Sequence, residues 1–280
     1  MVSQNIESLE LRIYDIGSED NSVAIIEAWL ARKSELGDSV YFHRHSGNIG
    51  VVRALKFGVN QARGKYIRAL STDDSFSHWD SLSRQIEAFE QTSENVAICF
   101  SDIQVVDGDG NFVETRKILP AQEDKAVIGR HTVRRKLMSG NWIPAPSVLM
   151  RANAVAQAVA NLDESLVFED YQLWMDLSLT HDFLYLPSPL VNYRQHAQSF
   201  TKEISLARLL LRGELVILGR ALRASPEIGL HVFGASRSLL VRSIRLRDFK
   251  SVTSVMVLVA LGSASPIIAK TGRRGLQKSA

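Results

Sequence analysis

Asp73 and Asp74 stand side by side at the end of Lys65-Tyr-Ile-Arg-Ala-Leu-Ser-Thr-Asp-Asp74. The apolar residues Tyr66, Ile67, Ala69 and Leu70 predict a buried parallel strand over 65–70 that delivers both carboxylates to its carboxyl end. Open α/β sheets bind their ligands at that edge. Two hard oxygen donors there suit a divalent cation, whose usual work is to neutralise a diphosphate. On these residues alone, a solvated turn that caps the next helix accounts for Thr72-Asp73-Asp74-Ser75 equally well.

The elements that must carry this pair alternate. Leu9–Asp15 reads as a strand that breaks into Gly17-Ser18, and Ser22–Lys33 as a helix with Asp20 or Ser22 as its N-cap. A short strand follows at Ser39–Phe42. Asn48-Ile-Gly50 is then a turn that opens an amphipathic helix ending near Gly64. Strand, helix, strand, helix, strand is an α/β pattern. Asp107-Gly-Asp-Gly-Asn111 lacks the spacing and distal Glu of a calcium loop, so it reads as a hairpin turn between Ile98–Val106 and Phe112–Arg116. Trp174 and Leu173 read as core, Glu169 as a residue that orients its neighbours, and Asp102 as a residue on the acceptor side.

A series of motifs in order gives the chain a family resemblance. Asp15-x-Gly-Ser-x-Asp20, Asn48-x-Gly50, and Ala62-x-Gly-x-Tyr-Ile followed by Asp73-Asp74 resemble family 2 of the inverting glycosyltransferases, which adopt the GT-A fold. Ile143-Pro-Ala-Pro-Ser-Val-Leu-Met-Arg151 is similar to that family's acceptor-side loop and strand. Asn161-Leu-Asp-Glu-Ser-Leu166 with Phe168-Glu-Asp-Tyr-Gln-Leu-Trp174, and Tyr193-Arg-x-His196, are similar to its later signatures. No single motif is specific; the order is.

The resemblance implies a fold and a set of roles. The fold is a GT-A type, Rossmann-like, mainly parallel sheet with helices on both faces and a C-terminal helical appendage. Asp15 would meet the nucleotide base, with Asn48 and Gly50 also on the donor side. Asp73 and Asp74 would hold ribose and a metal, Mn2+ or Mg2+, and His196 would reach the metal or the diphosphate. Asp170 would be the general base that takes the acceptor hydroxyl's proton. A first-turn helix residue favoured by the dipole and an ordinary loop histidine are the plainer readings of Asp170 and His196.

Three departures stand out. Ile16 replaces a second Asp of the Asp-Asp-Gly-Ser motif, and Ser71 replaces the first Asp of Asp-x-Asp. The family's hydrophobic first strand ending in Pro-x-x-Asn has no counterpart, because residues 1–9 look like the end of the helix that follows it. Leu11–Asp15 and Lys65–Leu70 are therefore expected to lack a strand between them, with the true start upstream or the chain a fragment.

Composition sharpens the picture. Cys99 is the single cysteine, so no internal disulfide forms and a reducing, cytoplasmic compartment is expected. Residues 201–280 hold 14 Lys and Arg against 4 Asp and Glu, whereas the first 200 hold 19 against 26. This divides the chain into a catalytic part, 1–200, and a basic helical part, 201–280, with helices at Leu206–Leu222, Leu230–Arg247 and Ser251–Ala260. Few aromatics and no reading motif argue against nucleic acid. Ser251–Ala269 is an uncharged run of 19 residues flanked by cations, which suits a helix lying on the inner face of an anionic membrane, contacted through 242–280, better than one crossing it. Packing against the catalytic part is the competing account. The expected activity is metal-dependent, inverting transfer from a nucleotide sugar to a lipid-linked or glycan acceptor. The alternative is a non-catalytic, truncated GT-A relative that binds a partner or membrane.

Overall fold

The structure is a computed structural model that describes residues 4, 6, 8–32, 39–120, 124–166, 168–195, 204–224, 229–248 and 250–261. Its strands are β1 (Leu11–Asp15), β2 (Val40–Arg44), β3 (Tyr66–Ile67), β4 (Ser75–Phe76), β5 (Val96–Val106), β6 (Phe112–Arg116), β7 (Ala126–Ile128), β8 (Leu149–Arg151) and β9 (Asp182–Arg194). The helices are α1 (Ser22–Arg32), α2 (Val51–Gln61), α3 (Ser81–Glu90), α4 (Arg130–Leu137), α5 (Ala152–Ala160), α6 (Asp170–Leu177), α7 (Ile204–Ala224) and α8 (Gly229–Arg245). A further helix, α9, covers residues 250–261.

The central sheet runs β3-β8-β5-β9-β4, with β6 on β5 and β7 on β9. Its spine is the parallel β5–β9 pair, register Val96↔Asp182 through Val106↔Arg194. β1 and β2 form a second, parallel ladder. The two longest ladders are thus parallel, while the short strands join antiparallel. Alternation along β5 and β9 feeds two cores. Ile98, Phe100, Phe183 and Tyr185 meet α2, α4, α5, α6 and α7 on one face. Cys99, Leu184 and Leu186 meet Leu82 and Phe89 of α3 on the other. Helices therefore cover both faces, as expected.

Two expectations need correction. The strand predicted over 65–70 is reduced to Tyr66–Ile67, half-buried, and its partner Met150–Arg151 runs antiparallel. The reason is the edge beyond it: among the described residues β3 pairs with β8 alone and β1 pairs with β2 alone. A ladder with one three-residue neighbour has little to extend it. Asp102 is the second. It is 2% exposed, and one carboxylate oxygen accepts the Ile118 N–H and the Tyr185 O–H, both at 2.7 Å. It stitches the sheet and faces no acceptor.

The hairpin holds as read, because the Asp107 carboxylate accepts the N–H groups of Asp109 and Asn111 at 2.9 Å each. Trp174 and Leu173 are core, 3% and 1% exposed. The C-terminal helices are not a detached tail. Leu211, Leu215, Leu218 and Leu222 of α7, Leu239 of α8, and Val255 and Leu258 of α9 enter the same core as Phe100 and Tyr185. Ion pairs tie them together: Arg212 with Asp248 at 2.7 Å and Arg242 with Glu214 at 2.6 Å. A Cβ added at Gly213 would lie 2.9 Å from the Phe168 ring, so α7 approaches the segment before α6 as closely as a helix can.

Candidate functional site

Asp15 ends β1 and is 4% exposed. Its carboxylate closes a turn by accepting the backbone N–H groups of Ser18 (3.2 Å) and Gly17 (3.4 Å). The Ser18 side chain, then these amides and Arg44, hold it below the usual carboxylate range. Gly17 has φ +100°, and a Cβ there would fall 2.4 Å from the Gly47 backbone, so only glycine lets the two loops touch. Across that contact the Asn48 Oδ1 accepts the Gly50 N–H at 2.9 Å, and Gly50, at φ +77°, opens α2. Asp15, Asn48 and Gly50 thus form one group, each fixed by turn chemistry.

Asp73 and Asp74 lie in the turn between β3 and β4. Arg194, the second residue of the Tyr-Arg-x-His motif, clamps that turn. Its N–H donates to Asp74 Oδ1 at 3.0 Å, its Nε to the Asp73 carbonyl at 3.0 Å, and its Nη1 to the carbonyls of Asp107 (3.2 Å) and Gly108 (2.8 Å). Burial, with Asp73 beside it, pushes Asp74 up to about 6 against the pull of the Arg194 amide. A cavity of about 280 Å³ opens on Asp74, lined also by Gln4, Leu70, Phe76, His78 and Trp79. His196 lies outside the described residues, as does the 262–280 part of the basic tail.

Asp170 is the first residue of α6. Its Oδ1 accepts the Tyr171 N–H at 2.7 Å and its Oδ2 the Asn141 side-chain N–H at 2.6 Å. Burial raises its proton affinity, and both hydrogen bonds oppose that. Glu169 next to it is pushed up to about 7, by burial first and Asp170 second. Tyr193, one residue before the Arg194 clamp, is raised by burial and by Asp74, Asp73 and Asp170 together. Asp73, Asp74 and Asp170 therefore all lie within electrostatic reach of one phenol.

Glu164 joins the helix that the Asn48 turn opens to the segment before Asp170. It pairs with Arg53 (2.7 Å) and Lys56 (3.1 Å) of α2 and sits in the Asn161–Leu166 motif that leads to Asp170. Arg68 ties the turn at Pro146 and Ser147 to β3, donating to Gln85 and to the carbonyls of Pro146 and Ser147.

Sequence reasoning assigned no role to Arg194, Asn141, Arg68 or Tyr193. Arg194 and Tyr193 lay inside a quoted motif, and that was their only signal.

The donor set fits a divalent cation as a pair of carboxylates, one exposed and one half-buried, with like-charge repulsion that a cation would relieve. No group of three potential ligands occurs among the described residues.

Comparisons with known proteins show the family and the fold. An uncharacterized glycosyltransferase of Rickettsia felis is 23% identical over 209 residues, which covers 73% of this chain and 32% of that protein. An uncharacterized protein of Mycobacterium bovis is 25% identical over 189 residues, covering 68% of this chain and 51% of the relative. The chain thus spans about a third to a half of the length of these relatives. Among solved structures, Staphylococcus aureus TarS 1–349 in complex with UDP superposes with TM-score 0.57 at 15% identity, covering 83% of this chain and 63% of that one. The mannosyltransferase PcManGT of Pyrobaculum calidifontis, in complex with GDP-Man and Mn2+, gives TM-score 0.56 at 12% identity, over 98% and 73%. The fold is accordingly the GT-A type expected. The model for glycosyl transferase family 2 matches residues 1–143, half of the chain, and takes in the Asp15 turn, the Asn48 turn and the Asp73-Asp74 pair, so this chain belongs to glycosyl transferase family 2.

Proposed function

We propose that this chain transfers a sugar, with inversion, from a nucleoside-diphosphate sugar to a hydroxyl of a lipid-linked or glycan acceptor. The observation that supports this reading is Tyr193, whose phenol is raised by burial first and then by Asp74, Asp73 and Asp170 together. In the reaction Asp170 accepts the proton of the acceptor hydroxyl, the hydroxyl oxygen bonds to the anomeric carbon, and the bond from that carbon to the diphosphate breaks. Asp15, Asn48 and Gly50 hold the nucleoside end. Asp73 and Asp74 would hold Mn2+ or Mg2+, with His196, and the cation would offset the charge of the departing diphosphate. TarS was solved with UDP and PcManGT with GDP-Man and Mn2+, which supports a nucleotide donor and a metal here.

The test is a thermal shift with UDP- and GDP-sugars, each with and without Mn2+ or Mg2+. One donor should stabilise the protein by several degrees only with metal, as a ligand at about 100-fold its Kd adds roughly 2.7 kcal/mol. Asp74→Ala should abolish the metal-dependent part. No shift with any donor favours the alternative, a non-catalytic relative. Among the described residues the β1–β2 ladder, which carries Asp15, pairs with no strand of the main sheet, and this speaks for that alternative.

The reading also gives the chain a place in the cell. Residues 1–200 carry the chemistry and 201–280 bring the protein to the inner face of an anionic membrane. Among the described residues no helix is long and apolar enough to cross a bilayer. Ile244 (60%), Met256 (62%) and Val257 (54%) are exposed on α8 and α9, and the same helices and their junction expose Arg237, Arg245, Arg247 and Lys250. Apolar groups among cations suit an interfacial contact through 242–280. Binding to phosphatidylserine vesicles should fall steeply between 50 and 300 mM salt, roughly the range where the Debye length drops below 10 Å. Equal binding to neutral vesicles would remove this part of the proposal.

A further inference from the structure

We infer that Asn141 is a positioning residue for Asp170: its side-chain amide holds the carboxylate in one orientation and acts on the reaction only through it. The inference rests on the reading of Asp170 as the base.

Asp170 has two oxygens and each is held once, Oδ1 by the Tyr171 N–H and Oδ2 by Asn141. A carboxylate oxygen carries about two lone pairs, so each retains one for an acceptor hydroxyl. The Tyr171 bond is local and forms wherever α6 starts as it does. The Asn141 bond comes from 29 residues away and is the only side-chain hydrogen bond that Asp170 receives among the described residues.

Asn141 is itself exposed, but its loop is built to hold it. Gly140 precedes it at φ +129°, a conformation that costs other residues dearly. Trp142 follows it, with its ring edge-on to Phe100 at 5.3 Å and the Lys136 ammonium 4.0 Å from the ring centroid. Ile143 is 2% exposed, and its N–H points at Asn141 Oδ1 at 3.4 Å, which orients the amide with its N–H groups toward Asp170. The helix that leads into the loop is tied to α6, because the Tyr171 O–H donates to the carbonyl of Leu137, the last residue of α4, at 2.6 Å. An exposed asparagine on a loop this constrained serves Asp170 better than it serves stability.

The other titratable groups that feel Asp170 are Glu169 beside it and Tyr193 at the end of β9. Both disfavour its charge when ionised, and the Asn141 amide N–H favours it. Losing the amide must therefore raise the pH at which Asp170 ionises, and an Asp in its place must raise it further.

The first measurement needs no substrate: a 13C carboxyl titration of the Asp-labelled protein, with the Asp170 signal assigned by its loss in Asp170→Asn. Asn141→Ala should move the Asp170 midpoint up by about one pH unit, with a melting temperature close to the unchanged protein's. Asn141→Asp, which keeps the shape, should move it up further. The second measurement is the pH profile of nucleoside-diphosphate release from UDP-glucose, UDP-N-acetylglucosamine or GDP-mannose with Mn2+, using whichever turns over. Its acid limb should follow the midpoint upward, with kcat down about tenfold and donor KM unchanged. An unmoved Asp170 midpoint in both variants overturns the role of Asn141 and leaves the reading of Asp170 standing. A moved midpoint with an unmoved acid limb overturns both, because Asp170 is then not the group that limits turnover.

Discussion

Asp170→Asn is expected to cut sugar transfer by about a thousandfold while nucleotide binding stays as it was. The amide is nearly the same shape as the carboxylate, so the Tyr171 N–H still finds an oxygen to donate to at 2.7 Å. What disappears is a group that can accept a proton. Burial already raises the proton affinity of Asp170, which makes it a better base near neutrality than an exposed Asp. Its hydrogen bonds go to Tyr171 and Asn141, so the metal-dependent share of binding should not change. Calorimetry with UDP or GDP and Mn2+, beside an assay of nucleoside-diphosphate release, separates the two effects. Parallel loss of binding and turnover would mean that Asp170 holds the donor instead.

Arg194→Ala is expected to do the reverse, weakening metal-dependent nucleotide binding by at least about tenfold. The side chain donates to three backbone carbonyls, those of Asp73, Asp107 and Gly108. It therefore fixes the Asp73–Asp74 turn against the hairpin at 107–110. A donor site loosened by 1 Å loses much of its binding energy. Charge-assisted bonds at a partly exposed site contribute about 1–2 kcal/mol in net stability, or roughly 2–6 °C in Tm for a chain of this size. Arg194→Lys should recover part of the stability and little of the binding, because an ammonium cannot fork between the Asp73 carbonyl on one side and the hairpin carbonyls on the other. Calorimetry and a melt on the same samples test this. Unchanged nucleotide affinity in Arg194→Ala would show that the turn needs no clamp.

The contrast between these residues shows what could be read from sequence. The hairpin around Asp107–Asn111 and the helices α7 and α8 are local, set by turn chemistry and periodicity, and they appear where expected. Asp170 was visible as a carboxylate in a motif at a helix start. The partners that give it meaning were not: Asn141 is 29 positions upstream, and Arg194 reaches a carboxylate 120 positions away. No periodicity encodes such distances. Asp102 was misplaced for a related reason. β5 is buried on nearly every residue, so an Asp within it had to be satisfied inside the protein, and only the observed β9 register puts the Tyr185 hydroxyl there. The shortening of β3 follows from which strands stand beside it, a fact of the assembled sheet rather than of Lys65–Leu70.

Gly213 gives the loop before α6 a floor. Because α7 lies against the Phe168 ring there and packs on α6 through the shared core, a displacement of the C-terminal helices would reach the segment that carries Glu169 and Asp170. Load borne by the outer faces of α8 and α9 passes inward through Leu239, Val255 and Leu258 to α7 and from α7 to that ring. A surface that captured these helices would thus also brace the segment that carries Asp170. A chain severed at residue 200 would open to water the side of the Phe168 ring that faces Gly213, leaving the ring only its packing on Tyr171 and the core behind it.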